Sequence, residues 1–255
     1  TTGTPCPGVG SRGTEPDDRR WAGATVTHRS ARSPFLRTIL TLVWRDILAE
    51  YRSREIVGGG AVFALLALVV FNFAIDFRQD TAEDVAPGIL WIGFAFAGML
   101  GFGRSFAGER ERGTLDGLLL APVDRGAIYL ARATTNTLLM SVVELVSLPI
   151  FVGLYNVSVN WGELLLTTVL GTIGFSGAGT LVAAIASNTR AREVLLPLLL
   201  LPLTVPVLIA SVKASAVAMG ARPVEQLPWM QLLLGFDVIV VAASFLVFEY
   251  VLDPS

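Results

Sequence analysis

Lysine, cysteine and histidine each occur once in 255 residues, as Lys213, Cys6 and His28. A P-loop that cradles nucleotide phosphates reads G-x-x-x-x-G-K-[ST]. Lys213 stands in Val-Lys-Ala-Ser, so the chain has no ATP site of that kind. With neither C-x-x-C nor C-x-x-C-H present, structural zinc, a dithiol redox pair and covalent haem attachment are excluded. The informative residues are acids. Glu144 and Asp237 interrupt long apolar stretches, whereas Glu109, Glu111 and Asp116 share one charged segment. No residue pattern marks a catalytic, cofactor-binding or metal-ligating set, and the chain reads as non-enzymatic.

The elements that carry these acids are membrane helices. Hydrophobic residues make up 53% of the chain and charged residues 16%, where a soluble domain has about 25% charged. Six stretches are almost free of charge: 56–75, 85–103, 133–155, 164–189, 194–212 and 231–248. A bilayer core of about 30 Å needs roughly 20 helical residues, and each stretch reaches or nearly reaches that length. The chain is therefore an all-α membrane protein with six transmembrane helices, its membrane domain covering 34–255. Residues 1–33, rich in Gly, Pro, Ser, Thr and Arg and without an apolar h-region, read as a disordered tail rather than a secretory signal.

Between tail and first span, Phe35, Ile39, Val43, Ile47 and Tyr51 form one row at spacing four, and Leu36, Leu40, Trp44 and Leu48 form the next. That spacing predicts an amphipathic helix over 35–51, suited to the membrane interface or to packing on a partner. Lys and Arg sort strongly by loop. Segments 32–55, 104–132 and 190–193 hold twelve, the alternate ones three. The positive-inside rule then places both termini and the 104–132 segment in the cytoplasm, and the acidic 76–84 segment outside.

An ionised carboxylate at the centre of a membrane helix costs about 2.5–3.5 kcal/mol on insertion scales. Glu144 and Asp237 must therefore face the bundle interior or take up a proton. An internal hydrogen bond, a cavity or cargo role and a subunit contact all remain open for them. Pro197, Pro202 and Pro206 fall in the fifth span, where each removes a backbone donor. The expectation is a kinked helix whose freed carbonyls meet protein or a cavity. Gly174, Gly177 and Gly179 in the fourth span would let another helix approach closely.

The 104–132 segment contains Glu-Arg-Glu-Arg-Gly-Thr-Leu-Asp-Gly-Leu-Leu at 109–119. Thr114 is placed as an N-cap with Asp116 in the first turn, where the helix dipole favours an anion. Leu115, Leu118 and Leu119 then share one face. A short helix with charges before it and an apolar ridge on it suits docking into a groove on another protein; an interfacial helix is the alternative.

This segment resembles the loop of ABC-2 type permeases, where it forms the coupling helix held by a separate ATP-binding subunit. The resemblance assigns coupling to Glu109, Glu111, Gly113, Thr114, Leu115, Asp116, Leu118 and Leu119. The amphipathic 35–51 segment is similar to the elbow helix of the same permeases. A narrower resemblance, over about 35–252, is to the cytochrome c maturation haem exporter protein B (CcmB) family. It rests on Arg-Asp-Ile-Leu-Ala-Glu-Tyr-Arg-Ser-Arg-Glu at 45–55, Ala-Pro-Gly-Ile-Leu-Trp at 86–91, the 109–122 loop and Leu-Pro-Leu-Thr-Val-Pro-Val-Leu-Ile at 201–209.

The resemblance implies the permease subunit of an ABC complex in the cytoplasmic (inner) membrane, paired as a homodimer with an ATP-binding cassette subunit. Further implied partners are a haem-handling membrane subunit and a haem chaperone; no nucleic acid is implied. ATP would belong to the partner subunit, and haem would be cargo of the complex rather than a stably bound cofactor. Without a histidine in any span, the chain lacks the usual haem axial ligand, which leaves Tyr129, Tyr155 or a methionine as weak substitutes. Rival readings are an ABC-2 permease for a lipid-linked polymer or drug, a secondary transporter, and an ATPase-independent scaffold.

Overall fold

A computed structural model describes residues 35–74, 79–111, 125–187, 189, 191–220 and 226–251. Among them are seven α-helices and no strand. They are α1 (Phe35–Ser53), α2 (Glu55–Ala74), α3 (Gln79–Glu111), α4 (Arg125–Tyr155), α5 (Trp161–Ser187), α6 (Arg192–Ala218) and α7 (Gln226–Val251). The helices α2 to α7 are each long and apolar enough to cross a membrane, in agreement with the six spans read from the sequence. The tail 1–33 lies outside the described residues.

Several helices run past the apolar stretches that announce them. α3 continues from Val85–Arg104, its apolar part, to Glu111, and α4 begins at Arg125 rather than at 133. Much of what reads as a cytoplasmic loop is therefore helix. Polar residues at a span's end keep the helical backbone because its hydrogen bonds are internal, so hydropathy marks where lipid ends and not where the helix ends.

α5 is the axis of the bundle, packed against α3, α4, α6 and α7, while α2 leans on α3 and α4. Its small side chains explain the central place. Gly171, Gly174, Gly177, Ala178 and Gly179 are all buried, and neighbouring side chains fill the space that their missing side chains leave. Beyond Gly171 are the Trp91 ring and Ser211, beyond Gly179 the Phe102 ring, and beyond Gly98 on α3 the Phe175 ring. The apolar core is aromatic around this axis. Phe102 lies 5.7 Å from Phe175, and Tyr129 5.3 Å from Phe248, measured between ring centroids. Offset contacts of this kind suit the quadrupoles of the rings.

Candidate functional site

Two polar seams run along α5. On the α4 side, Thr168, Thr172, Ser176 and Thr180 repeat at spacing four and so share one helix face. Three of these hydroxyls donate to the carbonyl one turn back: Thr168 to Leu164 at 2.8 Å, Thr172 to Thr168 at 2.7 Å and Thr180 to Ser176 at 2.7 Å. The same row meets α4 through side chains. Thr172 Oγ1 lies 2.6 Å from Glu144 Oε1, the Thr137 and Ser176 hydroxyls bond to each other, and Asn136 Nδ2 donates to Thr180 Oγ1 at 2.9 Å. Glu144 is thus an interhelical hydrogen-bond partner within the bundle.

On the opposite side of α5 stands Asp237 of α7, 5% exposed. A β-carbon added to Gly174 would collide with its Oδ1 and crowd Val207, and one added to Gly171 would meet Ser211 of α6. The glycines thus make the room in which a buried acid and a buried hydroxyl sit. Trp91 Nε1 of α3 donates to Ser215 Oγ at 2.9 Å and ties α3 to α6. Nucleophile, base and orienting group do not converge in either seam. What the seams supply is helix-to-helix specificity in a medium where apolar surface alone supplies little.

A second polar centre lies where α1 meets α2 and α4. Arg132 Nη1 is 3.0 Å from Asp46 Oδ2, and Arg45 Nη2 is 3.0 Å from Asp46 Oδ1. Arg132 and Asp46 are both almost enclosed, whereas Arg45 reaches toward solvent. One turn along α1, Glu50 is buried, and its Oε1 accepts from the backbone N–H groups of Ile56 at 2.8 Å and Val57 at 2.9 Å. These are first-turn donors of α2 that have no partner inside their own helix. Arg54 between the two helices has a φ of 54°, a left-handed turn in a non-glycine residue. Arg104 near the end of α3 donates to the Glu55 carbonyl at 3.0 Å.

α1 itself has three sectors. Ile39, Leu42, Val43, Asp46, Ile47 and Glu50 turn towards the rest of the chain; Leu36, Leu40, Trp44, Leu48 and Tyr51 are exposed, Trp44 at 70%; and Arg37, Arg45 and Arg52 lie along the outer polar side. Counting Arg132 among the loop cations hides it, because it stands about two turns inside α4. The one sequence signal for this centre is the pair of acids at 46 and 50, which lie at helical spacing beside the inward row of α1.

The residues assigned to coupling divide. Glu109 and Glu111 belong to the last turns of α3, and Gly113, Thr114, Leu115, Asp116, Leu118 and Leu119 lie outside the described residues. Pro197, Pro202 and Pro206 all stand inside α6, which is one continuous helix. Its buried side is the row Leu196, Leu200, Thr204, Val207 and Ser211, so Pro202 and Pro206 face outward. No described part of this chain covers them. Three of the candidate haem ligands are otherwise engaged. Tyr129 donates to the Gly177 carbonyl at 3.2 Å, Tyr155 donates to the Leu68 carbonyl at 2.9 Å, and Met230 sulfur accepts from Thr167.

Residues 37–252 match the family model described as CcmB protein. Curated relatives share the name Heme exporter protein B. That of Rhodobacter capsulatus is 32% identical over 66% of this chain and 78% of its own length. Those of Bradyrhizobium diazoefficiens and Paracoccus denitrificans are each 31% identical, over 72% and 74% of this chain and 84% and 88% of their own lengths.

Proposed function

The chain belongs to the CcmB protein family, and from that membership we propose that it works as the membrane-spanning permease subunit of an ABC transporter complex serving cytochrome c maturation. The carrying observation is the breadth of the match. It begins in α1, takes in all six apolar helices and includes the charged 109–119 segment that starts in the last turns of α3. The chain lacks the phosphate-binding motif that an ATPase needs, so hydrolysis belongs to a separate ATP-binding subunit. In this reading two copies of each assemble in the inner membrane, with both termini and the 109–119 segment in the cytoplasm.

Force enters at the coupling residues and passes into the two helices that flank them. α3 and α4 are each continuous helices, and α5 is laced to α4 through Glu144–Thr172 and Asn136–Thr180. A displacement of the loop therefore moves the third and fourth spans together. The outward prolines of α6 offer backbone carbonyls without a helical donor, which in hydrocarbon must be met by protein; the second copy meets them. Haem is the cargo of the complex. The Tyr129 and Tyr155 hydroxyls are committed to backbone carbonyls, which favours a second reading in which the chain drives release of the haem-loaded chaperone without ligating iron.

The test is purification of the complex with Leu115→Asp or Leu118→Asp. Burying a leucine in a partner groove contributes roughly 1.5–3 kcal/mol, and an unpaired carboxylate there reverses the sign. Docking should weaken at least about tenfold, the equivalent of about 1.4 kcal/mol. Recovery of the ATP-binding subunit and of c-type cytochrome should both fall at matched expression. Wild-type recovery of both would overturn the coupling assignment. A haem absorption band that stays with the isolated chain would overturn the reading without iron ligation.

A further inference from the structure

We propose that α1 is a strut that locks the cytoplasmic ends of α2 and α4 to each other, with Glu50 as its joint to α2 and the Asp46–Arg132 pair as its joint to α4. Two independent contacts carry this. Glu50 is buried and holds the Ile56 and Val57 N–H groups, so the end of α1 cannot rotate away from the start of α2 without orphaning two backbone donors. Four residues earlier on the same side, Asp46 holds Arg132 at 3.0 Å, with both side chains about nine-tenths enclosed. A buried ion pair resists separation, because parting it takes from Arg132 the carboxylate that faces it without returning either group to water. Arg45 holds the other carboxylate oxygen of Asp46 and fixes its orientation.

The placement gives the strut a task. Arg132 lies about two turns into α4, the first helix after the segment proposed to receive the ATP-binding subunit. Any movement of that segment reaches Arg132 before it reaches the membrane centre. With the joint intact, α4 carries α1 and the start of α2 with it; with the joint loosened, α4 and the α5 laced to it move without α1. Asp46, Glu50 and Arg132 are therefore positioning residues for coupling. Their mechanical role rests on the proposed function, while the joint itself does not.

The experiment uses the full chain in its native complex, with Asp46→Asn, Arg132→Gln and the double variant. Nitroxide labels at Thr41→Cys and Thr134→Cys, both exposed positions, report the separation of α1 and α4 in a Cys6→Ser background. Asp46→Asn should lower the membrane level of the chain severalfold, since it removes the carboxylate facing buried Arg132, and Arg132→Gln should lower it less, since Arg45 still faces Asp46. The double variant removes both charges and should return that level to within twofold of wild type. It should also broaden the label-to-label distance distribution and reduce c-type cytochrome yield at least fivefold, with ATP hydrolysis within twofold. A side chain pair that merely aids folding would be cured by the double variant. A wild-type distance distribution in the double variant overturns the joint, and a broadened one with undiminished cytochrome yield overturns its mechanical role. A wild-type complex whose cytochrome yield is independent of ATP hydrolysis overturns the proposed function instead, while the distances still decide the joint.

Discussion

Glu144 and Asp237 are alike in sequence, lone acids in apolar helices, yet they occupy different environments. Glu144 has a hydroxyl donor, and Thr172 can turn that same proton to the Thr168 carbonyl. Replacing Glu144 by Gln keeps an acceptor for Thr172, and replacing it by Leu leaves Thr172 bonded within its own helix. Interhelical hydrogen bonds in membranes average about 0.6 kcal/mol. Glu144→Gln should therefore leave thermal unfolding in detergent unchanged, and Glu144→Leu should cost about 1 kcal/mol or less. Gly174 answers to a stricter limit, since a β-carbon there meets Asp237 and Val207. Overpacking of this kind costs typically about 1–3 kcal/mol. Gly174→Ala should lower the unfolding midpoint, and Gly174→Ala with Asp237→Ala should recover most of the loss, a coupling expected of residues in contact. The acids were legible in the sequence as inward-facing, because the cost of charge in lipid leaves few choices. Their partners were not, because a threonine four residues from another reads the same whether it bonds backward or across.

At the scale of the helix, the sequence shows that α1 is amphipathic but not which apolar row meets the protein. Both rows are equally apolar, so only packing separates them. The structure turns Ile39, Val43 and Ile47 inward with the two acids and leaves Leu36, Leu40, Trp44 and Leu48 outside. An exposed apolar stripe beside a line of arginines is the pattern of a helix in the plane of a bilayer interface. A nitroxide at Leu40 should accordingly collide with dissolved oxygen more often than with a water-soluble nickel chelate, and one at Thr41 should show the reverse. Equal aqueous access at both positions would instead mean that the stripe meets water. The α6 prolines are legible in another way. Their number predicts a kinked span, and the helix runs on through all three, because a proline removes only one backbone hydrogen bond while the buried row at 196, 200, 204, 207 and 211 keeps its packing.

Across the whole molecule, the described arginines whose side chains are placed collect at one end, while Lys213 stands towards the other. Arg104 reaches the Glu55 carbonyl, so the far end of α3 stands beside the beginning of α2, and Arg132 reaches Asp46, so α4 enters at that same end. Arg45, Arg52 and Arg54 belong to the helix and turn that join there. The opposite end carries the Tyr155 contact to Leu68 and the turn in which Asn160 donates its backbone N–H to Ala218, with no lysine or arginine at 156–163. The charge asymmetry read along the sequence is therefore an asymmetry between two faces in space. Lysine and arginine near span ends set orientation because they resist translocation, and this is the end that the proposed function places in the cytoplasm. In a Cys6→Ser background, a cysteine at Thr81 should react with a membrane-impermeant maleimide in intact cells of a bacterial host, and one at Thr114 only after the membrane is opened. Labelling of Thr114→Cys in intact cells would invert the chain, place the 109–119 segment beyond the reach of any cytoplasmic ATPase, and with it remove the mechanical basis of the transporter reading.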